Sequence, residues 1–292
     1  YESFKGENRS GLTTQTLADT KAELFSYRVG LAYKPVEAVT IYAAYGNSKT
    51  PSQSSVNGSC TESAPGVAGT CNTRPEGAKN YEIGIKAELG SGVLLTASAF
   101  RNERDSYRVV SGDPTLPDQV TDGRSRVDGI ALSATGQITP AWSITANYTY
   151  LDSTLLQSVS DFCLANPGTG SCTNNVAFPD VAAGAELQNT PKHSGSLFTT
   201  YAFPFGLRIG YGVTYQGSFA FNLPTATSAA ILRSDDYWVH SGFVAFDFNE
   251  KLSAQLNVKN VIDELYYTRI RNNGWATPGD ARSAVLSATY KF

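Results

Sequence analysis

Stretch after stretch of this chain keeps a period of two in which one face carries no charge, and few folds can use such a pattern. Side chains on a β-strand point alternately to opposite sides. From Phe25 to Tyr33 the odd positions read Phe, Tyr, Val, Leu, Tyr, with Ser, Arg, Gly and Ala between them. Val39, Ile41, Ala43 and Tyr45 repeat the pattern, and Tyr81, Ile83, Ile85, Ala87 and Leu89 oppose Asn80, Glu82, Lys86 and Glu88. The same holds from Trp142 to Tyr150, from Leu207 to Tyr215 and from Leu252 to Val258. At the end of the chain, Ala284, Leu286, Ala288, Tyr290 and Phe292 face away from Ser283, Val285, Ser287, Thr289 and Lys291. Many of these apolar faces end in Tyr, Trp or Phe, which sit well at a membrane–water boundary. One oily face, one wet face and aromatic rims are what the wall of a transmembrane barrel needs. A β-sandwich also has apolar inner faces, so alternation alone leaves both architectures open. Between Tyr237 and Phe248 the phase is ambiguous, because Trp238, Val244 and Phe246 compete with Val239 and Phe243.

The connectors separate the two. Short links fall at 34–37, 90–92, 139–140, 204–206 and 249–251. Long ones fall at 5–23, 47–77, 109–122, 153–189, 217–234 and 266–280, in strict alternation with the short ones. Short turns on one side and long loops on the other are the layout of an outer-membrane barrel, and a Greek-key sandwich has no reason to obey it. The expected fold is therefore all-β: an antiparallel, up-and-down transmembrane β-barrel. This chain holds about twelve of its strands, the first only partly present. The long loops face outside, and the chain ends on the periplasmic, short-turn side.

Composition adds bounds. Charged residues are 17% and aromatics 11%, and no run approaches the roughly 18 apolar residues of a spanning helix. A net charge of −3 with no long basic cluster gives no footprint for nucleic acid. The opening Tyr1-Glu2-Ser3-Phe4 looks like the end of a strand rather than an export signal, so 1–292 is expected to be part of a longer protein. Four cysteines form two local pairs, Cys60 with Cys71 and Cys163 with Cys172, in long loops. Neither pair has the close spacing of a zinc site and no His lies nearby, which favours two disulfides made in an oxidising compartment such as the periplasm.

Several phrases resemble a family. Pro75 to Lys86 (PEGAKNYEIGIK) is similar to the strand-opening phrase of TonB-dependent outer-membrane receptors, and so is Gly123 to Asp152 with its Gly129-Ile130 step. Asn189-Thr190-Pro191-Lys192-His193 resembles that family's loop-to-strand junction, Leu256 to Tyr267 its penultimate strand, and Tyr290-Lys291-Phe292 its terminal tripeptide. The likeness covers nearly all of 24–292 and looks nearest to ferric-siderophore receptors, possibly of the catecholate type. One departure stands out: the family often shows Pro-Arg before its last strand, whereas here three residues separate Pro278 from Arg282. The resemblance implies a monomeric barrel of about 22 strands around an N-terminal plug. On that expectation 1–292 is the C-terminal portion of the barrel, and the signal peptide, the plug and its TonB box lie upstream. It also implies import of ferric siderophore powered by the TonB–ExbB–ExbD complex. The siderophore would be cargo, with no resident cofactor or metal.

A ferric catecholate is anionic and aromatic, so Arg with Tyr or Trp are its expected partners. Two clusters qualify as ligand-binding candidates: Arg101, Arg104, Tyr107, Arg108, Arg124 and Arg126, and Arg269, Arg271, Trp275 and Arg282. The alternative reading of these arginines is structural: ion pairs with Glu103, Asp105 and Asp128, a grip on the plug, or contact with lipopolysaccharide phosphates. Two other functions stand as alternatives, a passive porin-like channel and an outer-membrane enzyme. Catalysis would draw on His193 or His240, the only histidines, yet neither shows a nucleophile partner in the sequence.

Overall fold

The structure is a computed structural model that describes residues 2–9, 16–51, 74–90, 92–115, 119–271 and 273–292; for 2–9 and 16–22 it describes the backbone alone. Cys60 and Cys71 lie outside the described residues. No described helix is long and apolar enough to cross a membrane.

Eleven strands form one antiparallel sheet: β3 (Tyr27–Val36), β4 (Val39–Thr50), β5 (Glu76–Leu89), β6 (Val93–Val110), β7 (Gln119–Thr139), β8 (Trp142–Gln157), β9 (His193–Ala202), β10 (Leu207–Gln216), β11 (Tyr237–Asp247), β12 (Leu252–Lys259) and β15 (Ser283–Tyr290). Each pairs with its neighbour in sequence, except that β12 reaches β15 past a small hairpin, β13 (Tyr267–Ile270) and β14 (Ala276–Pro278). The sheet is open, with β3 and β15 as its edges. The sequence reading of 5–23 as a loop is corrected: β1 (Glu2–Arg9) and β2 (Thr16–Leu24) pair in a separate hairpin. Thr16 to Leu24 alternates Thr16, Ala18, Thr20, Ala22 and Leu24 with Leu17, Asp19, Lys21 and Glu23, but its uncharged positions are mostly small or hydroxylic, so it does not read as a wall strand.

Directly opposed residues share a face, so register fixes both faces of the sheet. One row runs Leu31, Ala43, Ile83, Ala99, Ile130, Tyr150, and another runs Leu207, Phe246, Ala254, Ala288. Among the described residues this apolar face meets no second layer: Leu31 is 75% and Leu286 74% exposed. An uncovered apolar wall of this extent is untenable in water and natural in lipid, which removes the sandwich. Register also settles the phase of β11. Trp238, His240, Val244 and Phe246 share the lipid face with Tyr215, Val213, Ile209 and Leu207.

Two aromatic belts bound that face. On the long-loop side stand Tyr27, Tyr45 and Tyr81, in ring contact at 5.8 and 5.0 Å, and Tyr215 against Trp238 at 4.4 Å. On the short-turn side stand Tyr201, Phe203 and Phe205, Phe246 with Phe248, and Tyr290 with Phe292. A strand tilted as barrel strands are climbs roughly 25 Å from Phe248 to Trp238, the height of a lipid-facing band.

Both histidines stand on this outer face near its extracellular end. Tyr148 Oη bonds His193 Nδ1 at 2.8 Å, and Tyr211 Oη bonds His240 Nδ1 at 2.7 Å. Both are tied to tyrosines, with no Ser partner among the described hydrogen bonds. On the inner face, large rings lie flat over glycines of the next strand. Phe100 covers Gly129 and Phe243 covers Gly210, where a Cβ would collide with the ring. Gly129 and Gly210 are therefore seats for the wall's own aromatics.

Candidate functional site

β6 and β7 hold 18 and 21 residues, well beyond the roughly 9–11 that cross a bilayer. Their upper halves stand above the extracellular belt. There they help to enclose a cavity of about 1040 Å³ at the mouth of the sheet. Arg28, Asn80, Asn102, Arg104, Tyr107 and Arg108 are among its lining residues, with Leu187, Gln188 and Leu223 contributed by loops.

A β-bulge builds the centre of this site. Register slips between Arg104 and Tyr107, where Ser106 adopts φ 60°. The extra residue turns Tyr107 onto the inner face beside Arg104. The Tyr107 ring lies over Gly123, the Arg104 guanidinium sits 5.3 Å from its centroid, and Tyr107 Oη donates to the Gln157 carbonyl at 2.8 Å. Arg104 also pairs with Glu76. Asn80 donates to Asn102 at 2.8 Å. The result is a cationic, aromatic, amide-lined vestibule, suited to an anionic ligand with flat rings.

The arginines grouped together in sequence do not share this place. Arg104, Tyr107 and Arg108 line the cavity. Arg101 and Arg126 project from the lipid-side face, where both pair with Asp128: Arg101 Nε at 2.6 Å, and Arg126 Nε at 3.0 Å but out of hydrogen-bond alignment. Arg124 alternates onto the same outer face as Arg126. Arg269, Arg271 and Trp275 lie on or beside the β13–β14 hairpin, with Trp275 75% exposed. Arg282 is held by Asp263, whose carboxylate accepts from its backbone N–H at 3.1 Å. None of this second group lines the mouth cavity.

The loops over the mouth are packed against one another. α1 (Asp161–Ala165) is capped by Ser160, and Cys163 forms a disulfide with Cys172, as the sequence indicates. Both sulfurs rest over Gly112 of the β6–β7 loop; Ser160 Oγ donates to the Ser111 carbonyl, and Cys163 is 2% exposed. Farther round, Glu186 accepts from Arg233 at 2.7 Å and pairs with Lys192 at 3.0 Å, while Arg233 Nε also donates to Ser218 Oγ at 3.0 Å. Asn189 N–H donates to the Ala220 carbonyl at 2.8 Å. Glu186 thus straps the β8–β9 loop, which brings Leu187 and Gln188 to the cavity, onto the β10–β11 loop.

Arg233, then Lys192, hold the Glu186 carboxyl below the usual Glu range. A depressed carboxyl stabilises its partners above its unfolded pKa of about 4.3, and that contribution is lost as pH falls through the depressed value. Glu186→Gln is expected to speed amide exchange in 186–192 and 218–233 by about fivefold at neutral pH, the scale of an exposed ion pair. Expressed as protection factors, which remove the intrinsic pH dependence of exchange, lowering the pH below that range should reproduce the loss of protection in the wild type and leave the variant's protection unchanged. Hydrogen–deuterium exchange checks both.

A single-layer wall with two aromatic belts, short turns below and packed loops above is an outer-membrane β-barrel segment. The chain belongs to the family described as TonB dependent receptor-like, beta-barrel, which it matches over residues 1–261. It is 30% identical over its whole length to the probable TonB-dependent siderophore receptor PiuA of Acinetobacter baumannii, of which it covers 37%. It is 28% identical to the catecholate siderophore receptor Fiu of Escherichia coli K12, with 95% of this chain and 34% of Fiu covered. The crystal structure of PiuA superimposes with a TM-score of 0.78, covering 98% of this chain and 38% of that one. The chain therefore spans little more than a third of the relatives it matches. The family is one of receptors and transporters of the bacterial outer membrane.

Proposed function

We propose that this chain is the C-terminal part of the barrel of a receptor that captures ferric siderophores and imports them with energy from the TonB–ExbB–ExbD complex. The carrying observation is the Arg104–Tyr107 pair facing the mouth cavity of about 1040 Å³, room enough for a chelate of siderophore size. Likeness to receptors named for siderophores supports the reading, and the chemistry of the pair favours an anionic, ring-bearing chelate such as a ferric catecholate. On this reading the rest of the receptor supplies the remaining strands, the plug and the TonB contact. The receptor works as a monomer in outer-membrane lipid and lipopolysaccharide. Of the original candidates, Arg104, Tyr107 and Arg108 remain the proposed ligand contacts.

Titrating the purified receptor with ferric catecholate and ferric hydroxamate chelates tests this directly. Saturable binding of the catecholate, at least tenfold tighter than the hydroxamate, is expected. Absence of binding to either would overturn the reading. A steady open conductance of the native receptor in planar bilayers would instead indicate a passive pore.

A further inference from the structure

The inner face of the sheet is not uniform below the mouth, and register divides it into sectors. On β4 and β5 it carries charge. Tyr42 Oη donates to Glu82 at 2.5 Å, the Tyr42 ring covers Gly84, and Lys86 Nζ stands 5.4 Å from the ring centroid. Glu88 follows on the same face, one row nearer the turns. On β9 to β11 the face carries rings: Phe198 lies against Gly212 and Phe243 over Gly210, with 6.3 Å between their centroids. Between these sectors, β7 and β8 with the adjoining edge of β9 present something else. Ser133, Asn147 and Ser196 form one row, Thr135 opposes Thr145, and Ser143 opposes Thr200. Every inward residue of β8 from Ser143 to Thr149 is Ser, Thr or Asn.

This hydroxyl lane has a beginning and an end. Ser125, Val127 and Leu155, on the same inner face of β7 and β8, line the mouth cavity. Below them the Phe100 ring is laid on the wall over Gly129. The lane then descends to Ser143, one residue from the turn-side end of β8. Its polar groups bond to one another: Asn147 Nδ2 donates to Ser196 Oγ at 2.8 Å, and the Ser143 and Thr200 hydroxyls share a bond of 2.5 Å. Passage needs contacts strong enough to replace water and weak enough to let go. Neutral hydroxyls and an amide meet that need, because they exchange one hydrogen bond for another. An anionic chelate would be repelled by Glu82 and Glu88 and held by Lys86. Charge pairs suit a lasting grip in one register, which is what a plug requires of a wall.

We infer that the inward face of β7, β8 and the adjoining edge of β9 is the wall along which an anionic chelate leaves the mouth and descends to the periplasmic side. The plug keeps its hold on the β4–β5 sector while it parts from the lane. This inference rests on the import function proposed above, and it adds which part of the wall carries the traffic.

The test uses the full receptor in the outer membrane of energised cells. Ser133→Cys and Ser196→Cys probe the lane, with Thr40→Cys on β4 and Ser241→Cys on β11 as references on the same inner face. No described cysteine is free, and wild type supplies the blank. The reagent is a sulfonated dye maleimide added outside the cells. With ferric catecholate present, both lane cysteines are expected to label at least tenfold faster than without it, and a protonophore should abolish the rise. The references should change less than about twofold. Equal acceleration at lane and reference positions would overturn the inference, and so would no acceleration on the lane. As a second measurement, Asn147→Trp should cut uptake of the iron-labelled chelate at least tenfold while affinity at the mouth stays within about twofold of wild type. Unchanged uptake would overturn the inference as well. Where titration shows that the chelate binds, such a result strikes the lane and leaves the proposed function standing; absence of binding strikes both. Heat-dependent gel mobility reports whether each barrel is folded. If Asn147→Trp misfolds, the Ser→Cys variants, which exchange one atom, decide the matter alone.

Discussion

Gly112→Val is expected to detach the loop that carries α1 and the Cys163–Cys172 disulfide from the β6–β7 hairpin. Gly112 has φ +74°, a conformation that resists any side chain, and a Cβ built there overlaps both sulfurs. The sulfurs have nowhere to go, because Cys163 is buried and its neighbour Ser160 is pinned to Ser111. Overpacking of this kind costs about 1–3 kcal/mol, and the left-handed backbone adds about 1 kcal/mol for a β-branched residue. Local opening should rise by about two orders of magnitude or more. Amide exchange in 158–180 would show it, and reduction by a mild thiol should quicken, because the disulfide becomes accessible. Gly112→Ala should act in the same direction more weakly. Unchanged exchange in Gly112→Val would mean that the hairpin can shift aside, and that the two loops are not one packed unit.

Replacing both Arg104 and Tyr107, as Arg104→Gln/Tyr107→Ala, is expected to weaken ferric-siderophore binding by ten- to a hundredfold. That is the range of truncating one or two central contacts, about 1.4–3 kcal/mol. Tyr107→Phe separates the causes. It keeps the ring over Gly123 and under Arg104 and removes only the hydrogen bond to the Gln157 carbonyl. If stacking carries the affinity, Tyr107→Phe should bind within about threefold of wild type. Raising the salt concentration should weaken the wild type more than the double variant, since the variant has lost the charge being screened. Equal affinity of the double variant and wild type, with normal gel mobility, would move the ligand elsewhere in the receptor.

The wall was legible in the sequence because lipid on one side and water on the other write a period of two into most of the spanning strands, β11 being the exception whose phase only register resolves. Where the uncharged positions of a strand are small or hydroxylic instead of large and apolar that signal weakens, so β2, with its Thr16 to Leu24 sequence, reads as loop. The candidate arginines show how far parity goes. Arg101 and Arg104 are an odd number of residues apart on β6, and simple alternation places them on opposite faces. Tyr107 shares the parity of Arg101 yet faces the other way, because the bulge at Asp105 and Ser106 inserts one residue into the count. Nothing in the local sequence announces that bulge. The Glu186–Arg233 strap is equally silent, since it joins two loops through side chains 47 residues apart. The seating of a disulfide on Gly112 likewise depends on loops meeting in space. What escapes a sequence reading here is set by tertiary contact, and the mouth cavity is made of such contacts.

The length of β6 has a consequence for how a solute first meets the protein. Arg101 marks the top of the hydrocarbon-facing rows, and the strand continues past Tyr107 to Val110. At the usual rise and tilt, Tyr107 stands roughly 15 Å farther out than Arg101. The mouth cavity is therefore a raised chimney that opens well above the lipid-facing band instead of flush with it. On the proposed function, a diffusing chelate would meet the protein there before it reaches the bilayer.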